Sequence, residues 1–220
     1  MGITYNPKMV TDGLVLCVDA ASKRSYPGTG TVWTDLVGEN DGTLTNGPTF
    51  SSANGGSIVF DGSDDTVATT LSPSLASYTI SMWVKTSSSS SEIYIDSYIS
   101  ANYIRLVVLS TGVVQFPFRE SGTEIVSVSS TSINDGEWHH ITGTRDAGVI
   151  GRVYVDGVAD GSATDTTAGG AITPGVSLDI GRASGNRVSG KIASVQIYNS
   201  SLTADEVLQN YLATRGRFGL

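Results

Sequence analysis

Residues 78–84 read Tyr78-Thr79-Ile80-Ser81-Met82-Trp83-Val84, and their polar and apolar side chains begin in strict alternation. A period of two is the pattern of a strand that is buried on one face. Further runs of β-forming residues follow at 105–109, 113–118 and 125–128, and Thr111-Gly112 between two of them is a compact turn signal. Several short strands at this spacing predict an all-β sandwich.

The strongest hairpin signal is Asp156-Gly157, which lies between Val153-Tyr154-Val155 and Val158. An Asp-Gly pair readily adopts the positive φ angles that a type I′ turn demands. Phe60-Asp61-Gly62 opens a similar turn, and the serines at 87–91 are typical of an exposed loop. Frequent turns between short strands support the same fold class.

One short helix is predicted near the C-terminus. Thr203 is a good N-cap, Glu206 completes a capping box, and Leu202 with Val207 forms the matching hydrophobic staple. The apolar stripe expected to face the core comprises Val207, Leu208, Tyr211 and Leu212. Arg215-Gly216 is the predicted stop. We therefore expect a single domain over 1–220, with an N-terminal arm at 1–13, a helix at 202–214 and a tail at 215–220.

Composition narrows the class of protein. The 220 residues carry 13 basic and 21 acidic side chains, a net charge of −8, which argues against nucleic acid as a partner. No apolar run approaches the roughly 20 residues of a membrane span, and the N-terminus lacks a signal-peptide pattern. Cys17 is the lone cysteine, so we expect a buried thiol with no internal disulfide, in a protein made in a reducing cytoplasm.

Several motifs together identify a family. Phe60-Asp61-Gly62-Ser63-Asp64-Asp65 resembles a signature of laminin-G-like domains in the concanavalin A-like lectin/glucanase superfamily. Matching segments follow in the family's order: Ile80–Lys85, Asp135–His140, Val153–Gly157, Gly190–Ile192 with Val195–Asn199, and Leu202–Val207. The resemblance implies a jelly-roll β-sandwich. The chain departs from the family's pattern in two places: Thr66 replaces an aromatic residue, and Ala193-Ser194 replaces an acidic pair.

The first third of the chain is similar to a narrower group, the free-standing laminin-G-like proteins of tailed bacteriophages. The similarity is carried by Val18-Asp19-Ala20-Ala21, by Ser25-Tyr26-Pro27-Gly28, by Trp33-Thr34-Asp35-Leu36 and by the run from Asn40 to Pro48. The ending from Gln209 to Phe218 is also like theirs. This resemblance implies a virion protein, which assembles inside the host cell and needs no signal peptide.

The family resemblance also points to calcium, which related domains often carry at one end of the sandwich. Asp61, Asp64 and Asp65 place three carboxylates on one turn, and Ca²⁺ takes about six to eight oxygen ligands. The alternative is that Asp61 bonds the turn backbone while the other two are solvated. Calcium is therefore the candidate cofactor, with Asp61, Asp64 and Asp65 as its candidate ligands.

Four aromatic residues are candidates for a surface that binds a glycan or a protein partner. They are Trp33, Tyr94, Tyr98 and Tyr103. Trp83 and Trp138 lie in strand signatures, where packing is the better interpretation because aromatic side chains dominate burial.

Catalysis is not expected. Glycosidases of this fold place carboxylates as Glu-x-Asp-x-x-Glu on one strand, and no such spacing occurs here. Glu92 and Asp96 are four residues apart, and Glu120 and Glu124 flank a turn. Successive strand residues point to opposite faces, so His139-His140 cannot readily chelate one ion; we expect one packed ring and one at the surface.

The leading functional expectation is a non-enzymatic capsid decoration (cement) protein on a phage virion surface. Its partners would be the major capsid protein or other virion proteins, and a homotrimer is the expected oligomer. The alternative is a carbohydrate-binding module, on a tail fibre or for host-surface glycans. A glycoside hydrolase is the least favoured class, because it requires two positioned carboxylates.

Overall fold

The computed structural model describes residues 7–99, 101–120, 122–148, 150–164, 171–181 and 185–220. The first eight strands are β1 (Leu14–Asp19), β2 (Val32–Trp33), β3 (Gly42–Thr45), β4 (Thr49–Ser51), β5 (Ser57–Asp61), β6 (Thr66–Thr69), β7 (Tyr78–Thr86) and β8 (Glu92–Ile99). The others are β9 (Asn102–Val108), β10 (Val113–Glu120), β11 (Thr123–Ser132), β12 (Trp138–Asp146), β13 (Ile150–Val155), β14 (Val158–Thr164), β15 (Asp179–Ile180) and β16 (Ser189–Tyr198). Helix α1 covers Ala204–Thr214, and short 3₁₀ turns cover Ala53–Gly55 and Arg215–Phe218.

Two antiparallel eight-stranded sheets form the sandwich. Sheet A has the order β14-β13-β12-β7-β16-β5-β4, with β1 also paired to β16. Sheet B has the order β11-β10-β9-β8-β15-β6-β3-β2. Neighbours that are far apart in the chain, such as β7 and β16 in sheet A or β8 and β15 in sheet B, show that the chain crosses repeatedly between the two sheets, as it does in a jelly roll. The predicted all-β sandwich with one short C-terminal helix is confirmed.

The core lies between the inner faces of the two sheets. Ile80, Met82 and Val84 point into it from β7, and Ile104 with Leu106 points into it from β9. Each of these side chains is at most 1% exposed. The alternation that predicted a strand at 78–84 therefore also selects the buried face of β7.

The Asp156-Gly157 hairpin is confirmed. Both residues have positive φ angles, 51° and 80°, as a type I′ turn requires. The Asp156 carboxylate also accepts a hydrogen bond from the backbone N–H of His140 at 2.9 Å. The turn is thus anchored to β12 as well as to its own strands.

Helix α1 begins and ends near its predicted bounds, but its cap differs. The Thr203–Glu206 capping box is present, with both reciprocal hydrogen bonds, and the helix ends at Thr214 with Arg215 as its C-cap. The left-handed cap predicted at Gly216 is wrong, because the chain continues into the 3₁₀ turn and Gly219 takes that conformation instead, with φ 80°. No helix in the described ranges has the length and hydropathy needed to traverse a bilayer.

The predicted apolar stripe of α1 is only partly correct. Val207 is buried, but Leu208 is 38% exposed and Asn210 takes an inward position. Asn210 is accommodated because its amide accepts a hydrogen bond from Val10 N and donates one to Tyr198 Oη. The helix therefore packs through a polar anchor as well as an apolar face, and the same anchor holds part of the N-terminal arm.

The C-terminal segment covers the outer face of sheet A. The Phe218 ring stacks on Trp83 with centroids 4.2 Å apart and lies 4.8 Å from the Trp138 ring. Trp83 and Trp138 are buried, as predicted, but they lie under this segment rather than between the sheets. The adjacent Arg217 forms an ion pair with Asp19 on β1 at 2.7 Å. Residues 215–218 are consequently a packed part of the fold rather than a free tail.

Buried hydrogen bonds around Asp35 hold the first third of the chain against β1. Asp35 is 5% exposed, and its carboxylate accepts hydrogen bonds from the backbone N–H groups of Cys17, Val37 and Asn40. Cys17 is buried as predicted, and burial raises the pKa of its thiol to about 12. The Trp33–Leu36 motif thus serves to tie the β2–β3 connection to β1.

Candidate functional site

The acidic turn between β5 and β6 brings the three predicted aspartates together. One ligand oxygen each from Asp61, Asp64 and Asp65 can be chosen so that all lie within 4.8 Å of one another. Asp61 Oδ1 accepts a hydrogen bond from Ser63 N at 2.7 Å, and Asp65 Oδ2 accepts one from Asp61 N at 2.9 Å. The second Asp65 oxygen, Oδ1, is buried and has no hydrogen-bond partner in the described structure.

This geometry fits part of a calcium shell. Burial raises the pKa of the Asp65 carboxyl group, and a buried carboxylate oxygen without a donor is stabilised by a cation. Three carboxylates supply about half of the ligands that Ca²⁺ takes, and backbone carbonyls or water can supply the others. Asp61 also bonds the turn backbone, so both sequence interpretations of that residue are compatible with this geometry. The metal site itself stays a prediction.

Two of the four candidate aromatic residues lie in the wrong place for a binding surface. Trp33 and Tyr94 are each 0% exposed and belong to the core between the sheets. The Tyr94 hydroxyl donates a hydrogen bond to the buried Glu92 Oε2 at 2.9 Å. The prediction that Trp33 and Tyr94 contribute to an exposed surface is therefore wrong, because their strands turn these side chains inward.

The other two aromatic residues form what we call the Tyr–Arg patch: Tyr98, Tyr103, Arg105 and Arg119 on β8, β9 and β10. Tyr98 is 45% exposed, whereas Tyr103 is 4% exposed beneath it. Their ring centroids are 5.7 Å apart. Arg105 Cζ lies 4.6 Å from the Tyr98 centroid and 4.9 Å from the Tyr103 centroid, and Arg119 Cζ lies 5.0 Å from the Tyr103 centroid. Two guanidinium groups thus hold two rings on the outer face of sheet B.

Carboxylates fix the cations of this patch. Asp96 Oδ1 accepts a hydrogen bond from Arg105 Nε at 2.7 Å, and Glu124 Oε2 lies 3.3 Å from Arg119 Nη2. Burial, together with a hydrogen bond to Glu124, raises the pKa of Tyr103 to about 12. The patch therefore combines a partly exposed aromatic ring with charged hydrogen-bonding groups whose positions are set in advance.

Such an arrangement suits a ligand with an apolar face and several hydroxyl groups. The exposed Tyr98 ring offers a flat apolar surface, and the Arg105–Asp96 pair offers charge-assisted donors and acceptors beside it. Sequence reasoning missed Asp96 and Arg105 as part of this site. They are cross-strand partners in the β8–β9 register, so alternation alone could identify them only after that pairing was known.

The two histidines lie on opposite sides of β12, as predicted. His140 is 1% exposed, its Nε2 is 2.8 Å from Ser81 Oγ, and burial lowers its pKa to about 4. His139 Nδ1 is 2.9 Å from Asp156 Oδ2, and Nε2 is 3.2 Å from Asp135 Oδ1. The hydrogen bond to Asp156 raises the pKa of His139. The rings share no common ligand position.

Glu92 and Asp96, the two carboxylates considered as catalytic groups, both form hydrogen bonds within the fold. Glu92 is 0% exposed and accepts hydrogen bonds from Tyr94 Oη and from Ser189 N at 2.7 Å. Burial raises its pKa. Asp96 is bound to Arg105 in the Tyr–Arg patch. Their contacts are those of structural groups that hold loops and side chains in place.

Comparisons with known proteins agree with this architecture. A family model described as the concanavalin A-like lectin/glucanases superfamily matches residues 60–208. No curated protein matches the sequence.

Three solved structures illustrate the range of similar folds. The receptor-binding domain of botulinum neurotoxin D has a TM-score of 0.71 at 13% identity, over 91% of this chain and 52% of that one. The binding domain of Paraclostridial Mosquitocidal Protein 1 has a TM-score of 0.74 at 13% identity, over 90% and 52%. The chain thus spans about half the length of these toxin domains. Domain 4 of an extracellular arabinanase from Geobacillus stearothermophilus, in complex with arabinotriose, has a TM-score of 0.72 at 20% identity, over 91% and 98%.

Proposed function

The chain belongs to the concanavalin A-like lectin/glucanase superfamily, and from that premise we propose that it is a non-catalytic binding domain displayed on a bacteriophage virion. The lectin-like fold follows from the family membership. On the virion, the domain would be a capsid decoration protein that contacts the major capsid protein or other virion proteins. Particle attachment and ligand binding are tested by separate experiments.

The contacts of the candidate carboxylates support a non-catalytic role. A glycosidase needs one carboxyl group as acid and a second as base or nucleophile, both facing the substrate. Glu92 is inaccessible to a substrate, and Asp96 is neutralised by Arg105 at 2.7 Å. Neither group is free to exchange a proton with a bound sugar.

Attachment to a virion is supported by the way the phage-like segments meet. Asp19 belongs to the Val18–Ala21 motif, Arg217 belongs to the C-terminal motif, and the two form an ion pair at 2.7 Å. Arg217 Nε also donates a hydrogen bond to Asn54 O at 2.6 Å. Two of the stretches that carry the phage resemblance therefore meet in one structural unit on sheet A, which is the observation that carries this part of the proposal.

Particle attachment is tested on virions purified from host cells infected with the phage that encodes this protein. We expect the protein to remain with intact particles through a density gradient, at a copy number comparable to the shell protein, and as trimers when isolated. Image reconstruction would then locate it on the shell. Its absence from purified virions would contradict the virion assignment.

Glycan recognition is the second candidate function, and the Tyr–Arg patch favours it. The exposed Tyr98 ring and the fixed Arg105–Asp96 pair offer stacking and hydrogen bonding on one open sheet face. The arabinanase domain of similar fold was solved with arabinotriose bound, which supports a neutral oligosaccharide as the first ligand to try. If calcium binds, Asp61, Asp64 and Asp65 would hold it and would stiffen the neighbouring turn.

A glycan array followed by calorimetry tests this function, with and without added calcium. For the best glycan, Tyr98→Ala should weaken binding by about tenfold, which corresponds to about 1.4 kcal/mol. Val158→Ala is the matched control, because Val158 is 64% exposed on sheet A, away from the patch. If no glycan on the array binds, or if Tyr98→Ala and Val158→Ala weaken glycan binding equally, the Tyr–Arg patch is not a glycan site.

A further inference from the structure

A concave site lies on sheet A, where Lys85 and Lys191 line it. It is a pocket of about 320 Å³ between β5, β16, β7 and the start of β12. Its lining comprises Val59, Phe60, Lys85, Thr86, Ser87, Gly136, Ser189, Gly190 and Lys191. This volume falls at the small end of the range for ligand sites, about 300–1,000 Å³, and suits a single sugar ring or a smaller molecule.

Two lysines lie side by side in the wall of this pocket. Lys191 on β16 is the direct cross-strand partner of Lys85 on β7, and both residues line the cavity. Like charges directly opposite each other destabilise a sheet, so this pairing is unfavourable for folding alone. The chain has four lysines in all, and two of them are placed at this one position.

The positive charge of the pocket is only partly compensated. Lys85 Nζ lies 3.8 Å from Glu137 Oε2, but that glutamate side chain is 76% exposed and holds the lysine weakly. Lys191 has no acidic partner within 4.0 Å among the described residues. Two lysines and one glutamate leave one unit of positive charge, in a protein whose net charge is −8.

The other walls of the pocket suit the body of a small polar ligand. Val59 is the cross-strand partner of Lys191 on its other side, so an apolar side chain lies beside the cation. Ser87 contributes a hydroxyl from the serine loop. At Gly136, a Cβ would come no closer than 3.9 Å to any neighbour, and the absence of a side chain there keeps this wall open.

We propose that this pocket binds a monoanionic carboxylate carried by a sugar, with the carboxylate between Lys85 and Lys191. A single negative charge matches the single uncompensated positive charge, and ammonium–carboxylate hydrogen bonds are among the stronger ones in proteins. Binding of the carboxylate rests on the pocket alone. The sugar as its carrier rests on the proposed glycan recognition. The pocket lies on sheet A, so it is separate from the Tyr–Arg patch on sheet B.

The test is a titration of the full chain at low ionic strength, followed by NMR or calorimetry. The probes are glucuronate and galacturonate, with glucose as the neutral analogue and acetate as the free carboxylate. We expect at least one uronate to bind, acetate to bind more weakly, and glucose to leave the pocket resonances unchanged. Raising the salt concentration should weaken uronate binding, because the attraction is electrostatic.

Variants locate the site. Lys191→Met should weaken uronate binding at least tenfold, whereas Lys23→Met, which removes an exposed lysine outside the pocket, should not change it. Tyr98→Ala should also leave uronate binding unchanged, which separates this pocket from the glycan surface proposed above. Lys191→Met should melt at the wild-type temperature or higher, since it removes an unfavourable charge pair.

Three results would overturn the inference. If neither uronate nor acetate binds, or if Lys191→Met binds the uronate as well as the wild type, the pocket is not a carboxylate site. Equal affinity for acetate and the uronates would refute the sugar as carrier. Loss of uronate binding in Tyr98→Ala with full binding in Lys191→Met would move the ligand to the Tyr–Arg patch.

Discussion

Replacing Phe218 by alanine should destabilise the whole sandwich, although the residue is third from the last. Its ring lies 4.2 Å from Trp83 and 4.8 Å from Trp138, between two side chains that are themselves buried. Loss of a fully buried phenylalanine costs about 3–5 kcal/mol. Phe218 is half-buried, so we expect a loss of about 2 kcal/mol, of which the aromatic contacts supply about half.

Urea unfolding followed by tryptophan fluorescence measures this loss directly, because two of the three tryptophans report on the site. A loss of about 2 kcal/mol in a chain of this size lowers Tm by about 4–8 °C. Leu220→Ala is the matched control, since Leu220 belongs to the same segment but is 50% exposed. It should change stability by less than about 0.5 kcal/mol. If Phe218→Ala proves no less stable than Leu220→Ala, the C-terminal segment does not contribute to the fold as the packing indicates.

Three further predictions concern the acidic turn, the buried histidine and the hairpin. Calcium should raise Tm relative to EDTA in the wild type but not in Asp65→Asn; equal melting of the wild type in both buffers would argue against the site. The pKa of His140 is lowered by burial to about 4, from an unfolded value near 6.5. The unfolded chain therefore takes up a proton that the native state does not, and stability should fall from about pH 6.5 to pH 4, by about 3 kcal/mol for this group. In urea titrations, the free energy of unfolding should fall less between pH 7 and pH 5 for His140→Gln than for the wild type. Identical losses of stability in the two proteins would contradict a lowered pKa for His140. Gly157→Ala should cost about 1–3 kcal/mol in thermal or urea unfolding, because φ is 80° and a Cβ would lie 2.9 Å from Tyr211 Cβ. Gly216→Ala, where nothing lies within 4 Å, should be nearly neutral, and an equal loss in both would refute this reasoning.

Local signals predicted the elements whose causes are local. The β7 alternation, the Asp156-Gly157 turn and the Thr203–Glu206 capping box each depend on residues a few positions apart. The left-handed cap was mispredicted, at Gly216 rather than Gly219, because the continuation of the chain into the 3₁₀ turn has a distant cause. Phe218 continues inward to meet Trp83, a partner far away in the chain, and no pattern around Gly216 contains that contact.

The residues of the candidate site also differ in whether their causes are local or distant in the chain. The three aspartates lie within five residues, so the turn that brings them together could be predicted from the sequence. The orientation of Tyr94 could not be predicted from the sequence. A register shift between Ile93 and Ile95 interrupts the alternation of β8 and directs the Tyr94 side chain into the core. Arg105 became part of the site only through its pairing with Asp96 across two strands.

Because Cys17 is buried, the alkylation rate of its thiol reports how often this part of the fold opens. A thiol that is 4% exposed and whose pKa is raised to about 12 reacts very slowly with alkylating reagents while β1 stays in place. Labelling of this single cysteine would therefore record each opening of β1 and Asp35 away from the sandwich, at a rate set by the stability of that edge. For the same reason, a cysteine introduced at an exposed position could carry a fluorophore without competition, so that ligand binding on either sheet face could be followed in the same molecule.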